Sequence, residues 1–362
     1  DSLSHKHLLD KLRALGIRGA AHQWFQSYLS GRTQITEINH VINNKSKKIR
    51  STQAQTARGV PQGSVLGPVL FILYTNDIIS VIQDNCEAFL YADDTALVVS
   101  HENVEELEVN TYIAASMAKQ YSQENDLVLN EEKTQQLFFG PQRKNALTLP
   151  NISASQEAKY LGITIDCNLN WKPHVDQLCN KLSTALYVIR RLKHISNTET
   201  SRTAYFALFE SQMRYGLIVW GFSSQRNLHR VLLLQKKAIR IMADLGFRDS
   251  CRGVFKRLKL QTVANLYIAE VIMHVTNKGL TNFSEAHSYN TRNKTNYRLP
   301  THHLTAYEKK PTYIGAKLFN NLPSELKQQK GNRTFKESLL DWLLQREFYS
   351  VEEYLEQRSQ PY

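Results

Sequence analysis

No stretch of this 362-residue sequence comes near the roughly 20 uninterrupted apolar residues of a membrane-spanning helix. Its first residues, DSLSHKHLLDKLRALG, lack the layout of a secretory signal, so a soluble, intracellular protein is expected. Cysteine is scarce. Cys86, Cys167, Cys179 and Cys251 are too irregularly spaced for a zinc motif and too few for a disulfide framework, which leaves reduced thiols, mostly in the core. The 12 His show no metal-ligand spacing, and the adjacent His302 and His303 fall in a polar stretch that reads as a loop. There is no internal repeat and no low-complexity tract. With 42% apolar and 22% charged residues, wholesale disorder is excluded. No Met opens the chain, and Asp1 falls in the middle of an element, so a front-truncated chain is expected.

What is present in excess is positive charge, and it is concentrated. The net charge is +12, and residues 171–260 alone hold 17 Lys or Arg against 5 Asp or Glu. Such a field suits nucleic-acid phosphates or an anionic membrane surface. Within it, RNLHRVLLLQKKAIRIMADLGF has helical periodicity. Val231, Leu234, Ala238, Ile241, Met242 and Leu245 share one face, and Arg226, Arg230, Lys236, Lys237 and Arg240 lie opposite, with Leu233 the exception. The absence of Trp anchors argues against a membrane-surface role for this helix.

Elsewhere HLLDKLRALG and GAAHQWFQSYLSGR read as helices, TQITEI as a strand and NNKSKKIR as a basic loop or hairpin. GVPQGSVLGPVLFILYTNDIISVI is a Gly/Pro turn running into an apolar stretch of helical length. Val104, Leu107, Thr111, Ala114, Ala118 and Tyr121 mark an amphipathic helix. DLVLN and QQLFFG read as short strands and KYLGITID as a strand pair. A boundary falls near 168, before the basic, mostly helical region, and residues after about 280 are polar and extended until a short helical tail.

One feature resists a purely structural reading. FLYADDTALVV places Asp93 and Asp94 side by side between two apolar strands. Adjacent carboxylates raise each other's pKa unless a cation compensates, and hard oxygen ligands at a hairpin tip suit Mg²⁺. In nucleotidyl transfer a pair of such ions activates the attacking hydroxyl and stabilises the leaving oxygen. An isolated Asp-Asp is more often only a turn, so the surroundings decide.

YADDT (91–95), preceded by RGVPQGSVLGPVLFILYTNDI (58–78), resembles the polymerase core of reverse transcriptases, and more narrowly those of Jockey-like non-LTR retrotransposons. LVLNEEKTQQLFF, KYLGITID, YFALFESQMRYGLIVWG, YNTRNK and GAKLFNNLP follow in the family's order. The resemblance implies an α+β fold: a right-hand palm with a ferredoxin-like antiparallel sheet whose first strand is missing (1–168), a basic helical thumb (169–280) and a C-terminal tail (281–362). It implies RNA-directed DNA polymerase activity with two Mg²⁺ ions, Mn²⁺ being an alternative. Asp93 matches the metal-ligating carboxylate and Asp94 its neighbour of lesser metal contact. Tyr91 and Ala92 would lie beside the primer end. Gly59, Pro61, Gln62, Gly63 and Ser64 match the turn used against template and incoming nucleotide, where a helix N-terminus welcomes phosphate. Lys133 matches a lysine discussed as proton donor to pyrophosphate, and Tyr160, Leu161 and Gly162 match the primer grip. The implied partners are an RNA template, a DNA primer duplex and deoxynucleoside triphosphates, in a retrotransposon ribonucleoprotein of cytoplasm and nucleus; no membrane is expected, and no stable protein partner is inferable from the sequence.

The chain departs from the family's pattern at its start. Asp1 matches the second Asp of the first catalytic strand, and the upstream catalytic Asp and its sugar-screening Phe are not in the sequence. On this reading the chain alone is inactive and inclined to associate through an uncovered sheet edge. The competing expectation is a non-catalytic nucleic-acid-binding remnant, whose binding weakens with salt and needs no Mg²⁺.

Overall fold

The computed structural model describes residues 3–42, 45–61, 63–143, 145–280 and 295–357. Asp1, Gln62 and the YNTRNK stretch lie outside the described residues. Helices and short strands mix in an α+β chain that divides into two compact units, Asp1–Leu161 and Gly162–Tyr362.

In the first unit, the helix His5–Ala14 begins where the Ser4 hydroxyl accepts the His7 amide, and it buries Leu8 and Leu12. These pack with Leu3, just before the helix, and with Leu29, Leu70 and Tyr74 from the helices Gly19–Leu29 and Leu66–Thr75. A second, smaller cluster joins Ile78, Ile82 and Tyr121. The helix expected from the Val104 to Tyr121 periodicity runs Val104–Glu124, started by the Asn103 side chain accepting the Glu105 amide. The described part of the basic NNKSKKIR segment is a strand, Lys45–Arg50, antiparallel to Glu37–Ile42.

Two expectations of strand structure fail. DLVLN is irregular, because Asp126 takes a φ of 53° and Val128 stands almost wholly in water, so no partner strand completes its backbone. Among the described residues the strands pair only in twos, so the expected palm sheet is not assembled as one continuous sheet. Each pair leaves its outer backbone groups to solvent or side chains.

The second unit is helical around one large core. Asp166, nearly fully buried, starts its first long helix: its carboxylate accepts the amides of Asn168, Asn170 and Trp171, and the chain then enters Lys172–Ile195 with Pro173 in the first turn. That helix packs on Gln225–Met242, and both contribute to a core with Val263–Asn277. The C-terminal helices Pro311–Asn320 and Phe335–Arg346 bury Phe319, Leu339 and Leu343 in the same core. At Gly315 a Cβ would lie 2.4 Å from Val275 Cγ2 and 2.5 Å from the Val271 carbonyl, so the helices Pro311–Asn320 and Val263–Asn277 meet only because this residue has no side chain. Cys86, Cys179 and Cys251 are free thiols, and Cys167 and Cys251 are buried.

Candidate active site at the Tyr91 to Thr95 turn

The strands Glu87–Tyr91 and Asp94–Val98 pair antiparallel, with Tyr91 opposite Asp94, Phe89 opposite Ala96 and Ala88 opposite Leu97. Opposed residues share a face, so the hairpin has two distinct sides. Ala88, Leu90 and Leu97 lie on the inner side and pack against Ile78, Ile82 and Tyr121. Phe89, Tyr91, Asp94 and Val98 lie on the outer side, and Tyr91 is 65% exposed.

Ala92 and Asp93 form the two-residue connection. Ala92 takes a φ of 51°, and Asp93 is not in that left-handed region, the φ pattern of a type II′ hairpin turn. Asp93 and Asp94 are both exposed, and among the described residues neither carboxylate has a hydrogen-bond or ion-pair partner. Two free hard-oxygen donors of this kind fit Mg²⁺, which takes one or two carboxylates and completes its shell with water and substrate phosphate. No group of three or more His, Cys, Asp or Glu assembles among the described residues, so no third side chain joins them.

The hairpin is steadied by a network that sequence reasoning missed. The Lys11 ammonium donates to both Asp77 carboxylate oxygens at 2.8 and 3.0 Å and to the Tyr74 carbonyl at 2.6 Å, and lies 3.0 Å from the Tyr121 hydroxyl. Tyr121 donates to Asp77, and Tyr74 to the Asn125 carbonyl. Burial pushes the Asp77 carboxyl upward, but its bonds from Lys11 and Tyr121 outweigh that and hold it below the ordinary carboxylate range. Burial, then Asp77, hold the Tyr121 phenol well above its usual range. Tyr121 is thus shared: its ring supports the inner face of the hairpin and its hydroxyl ties three helices together. The sequence signals were Asp77 within YTNDI and a lone Lys11 on a helix, and neither named the other.

The 59–64 loop behaves as a helix-starting turn. The Gly59 amide donates to the Leu3 carbonyl, and the Gly59 carbonyl lies 2.7 Å from His5 Nε2. The Ser64 hydroxyl donates to the Pro61 carbonyl and accepts the Gly67 amide at 3.0 Å, capping the helix Leu66–Thr75. Gly59 and Gly63 have φ of 79° and 78°. Lys133 follows an Asn-capped turn, its amide donating to Asn130 Oδ1, and its side chain is exposed. Among the described residues no hydrogen bond or ion pair joins the 59–64 loop or Lys133 to the Asp93 turn.

Residues 1–165 match the family model described as reverse transcriptase (RNA-dependent DNA polymerase). A probable RNA-directed DNA polymerase from transposon BS of Drosophila melanogaster is 30% identical over 282 residues, covering 73% of this chain and 30% of the relative. The chain carries a reverse transcriptase domain of the non-LTR retrotransposon kind. The RNA-directed DNA polymerase from mobile element jockey of the same fly is 24% identical to it over 248 residues, 62% of this chain and 27% of the relative. The chain therefore spans less than a third of the length of these curated relatives, and no solved structure matches it. The YADD turn and the GVPQGS loop of the reverse transcriptase domain both lie within the matched residues.

The basic helix of the second unit differs from its sequence reading. The helix spans Gln225–Met242 and buries Val231, Ala238 and Met242 as expected, together with Asn227, Leu228, Leu232, Gln235 and Ile239. Three of its five cations are engaged within the chain. Arg230 pairs with Asp176 at 2.6 Å, Lys236 lies 3.8 Å from the centre of the Tyr349 ring, and Arg240 donates to the Asp249 carbonyl. Burial lowers the Lys236 pKa. Arg226 and Lys237 remain exposed.

Proposed function

We propose that the Asp93–Asp94 hairpin is the catalytic turn of an RNA-directed DNA polymerase that adds deoxynucleotides to a primer 3′-hydroxyl along an RNA template. The observation that carries this reading is the pair itself: two exposed carboxylates without protein partners, on a turn whose inner face is anchored in the core. Asp93 would hold Mg²⁺, or Mn²⁺ in its place, with Asp94 in lesser contact. When bound, two such ions supply charge stabilisation for the attacking and leaving oxygens. In this reading Tyr91 and Ala92 lie beside the primer end. The turn of Gly59, Pro61, Gln62, Gly63 and Ser64 faces template and nucleotide, and Lys133 gives a proton to departing pyrophosphate. Residues 1–168 serve as palm and 169–280 as thumb, whose exposed cations, Lys181, Arg190, Arg226 and Lys237 among them, track duplex phosphates, with 281–362 as the tail. The setting is a retrotransposon ribonucleoprotein.

A second reading, nucleic-acid binding without polymerisation, is favoured by the absence of a third metal-ligating side chain beside the pair among the described residues. Primer extension on an RNA template, with the chain extended upstream to supply the catalytic Asp that the resemblance places before Asp1, separates the two. The polymerase reading expects incorporation that falls at least about a hundredfold in Asp93→Asn while duplex binding stays within twofold (about 0.4 kcal/mol). Binding that is salt-dependent, indifferent to Mg²⁺ and never accompanied by incorporation supports the second reading instead.

A further inference from the structure

The helix Gly19–Leu29 carries an aromatic ladder that the polymerase reading does not use, with Trp24 exposed and Tyr28 half-buried, packed against the core of Leu8, Leu12 and Leu70. Trp24 and Tyr28, one turn apart, stack with ring centres 5.5 Å apart and planes within 8°. The helix then stops, with the Ser30 amide returning to the Gln26 carbonyl, and the chain turns at Gly31. That turn brings the Arg32 guanidinium 5.4 Å from the Tyr28 ring centre. Trp24 nevertheless keeps 53% of its surface in water, an unusual cost for the largest apolar side chain.

Arg32 also begins a two-stranded ribbon. Its carbonyl accepts the Thr56 amide, Thr33 and Gln34 pair with Gln55 and Ala54, and Glu37–Ile42 pairs with Lys45–Arg50. The two faces of this ribbon differ in charge. On one, Glu37 neutralises Lys48 and Arg50 through contacts of 2.7 Å each. The other places Lys45 and Lys47 with His40, Ile38 and Ile49, and among the described residues neither lysine has an ion-pair partner. Free aromatic surface, a guanidinium in register with it and a cationic ribbon leaving from the same residue are the parts from which single-strand platforms are built: bases stack, and phosphates follow the cations.

We propose that Trp24, Tyr28 and Arg32, continued by Lys45 and Lys47, form a binding platform for an unpaired polynucleotide strand, with bases stacking on the Trp24–Tyr28 ladder. A duplex, whose bases are already stacked on one another, does not satisfy this surface.

The test uses the full chain and a labelled single-stranded RNA of about 15 nucleotides, read by fluorescence anisotropy. Trp24→Ala and Tyr28→Ala should each weaken binding about 5- to 150-fold, with Trp24→Phe close to the parent. Replacing Lys45 and Lys47 by Gln should reduce the slope of log affinity against log salt by about 1.4. Trp24 is the only tryptophan before residue 161. RNA should therefore quench part of the tryptophan emission of the parent, and Trp24→Phe should abolish that part. Circular dichroism melts of Trp24→Ala matching the parent would exclude unfolding as the cause of weaker binding. Unchanged affinity in Trp24→Ala and Tyr28→Ala, or RNA quenching of tryptophan emission undiminished in Trp24→Phe, would overturn the proposal. Because binding is measured without incorporation, failure here is distinguishable from failure of the polymerase reading.

Discussion

Ala92 sits in a backbone region that costs an L-residue about 1–2 kcal/mol, and that cost falls on the turn presenting Asp93 and Asp94. The rigidity that sustains it comes from residues behind the turn. Lys11→Met removes the donor shared by Asp77, Tyr74 and Tyr121, and should destabilise the first unit by about 2 kcal/mol in urea unfolding. The same pair has a pH signature. The Asp77 carboxyl is held below its ordinary 3.8, so its contribution is present above that value and is lost as the pH falls through the lower folded value. Lys11→Met should flatten that acid limb. Glu210 has the opposite sign: burial, outweighing Arg214 and Arg202, raises its carboxyl above 4.5, and one of its oxygens has no partner among the described residues. Its contribution is complete below 4.5 and declines as pH rises through the folded value, so Glu210→Gln should be the more stable protein at neutral pH, as thermal melts at pH 4 and pH 7 would show. The carboxylate pair was legible in the sequence because like charges between apolar strands need a reason. The Lys11–Asp77 pair was not, since its members stand 66 residues apart and each is ordinary alone.

Among the elements, the GVPQGS loop shows how a motif serves structure and site together. Ser64 caps the helix Leu66–Thr75 through the Gly67 amide, and Ser64→Ala should cost about 1 kcal/mol of stability whether or not the loop meets a nucleotide. Gly315 plays the corresponding part in the second unit: Gly315→Ala should cost about 1–3 kcal/mol, because Val275 and the Val271 carbonyl occupy the space of the new methyl. Periodicity located the amphipathic helices well, since burial of one face repeats every three or four residues. It misassigned DLVLN, whose alternation of apolar residues finds no neighbouring strand, and it treated the Gln225–Met242 cations as one presented stripe. Helical phase tells where a side chain leaves the backbone. It does not show that Asp176, Tyr349 and Asp249, distant in sequence or beyond the helix end, will occupy Arg230, Lys236 and Arg240.

At the scale of the molecule, the two units distribute the chemistry unevenly. The first holds the YADD hairpin, and the second holds the basic excess, much of it engaged internally, with the C-terminal helices folded into its core. That docking is reinforced by Glu347, whose carboxylate accepts the Gly253 and Lys256 amides, and by Arg252, which donates to Glu353 and lies 3.8 Å from the Tyr349 ring centre. The sequence, polar after residue 280, gave no sign that the tail would complete this core, because the burying residues Phe319, Leu339 and Leu343 are dispersed over short helices. Whether the acidic turn grips a metal ion is read by paramagnetic broadening of backbone amides. The protein would be titrated with Mn²⁺ in the presence of a deoxynucleoside triphosphate. Broadening should centre on Tyr91 to Thr95 and vanish in Asp93→Asn/Asp94→Asn, whereas broadening centred elsewhere, or unchanged in that variant, would contradict the account.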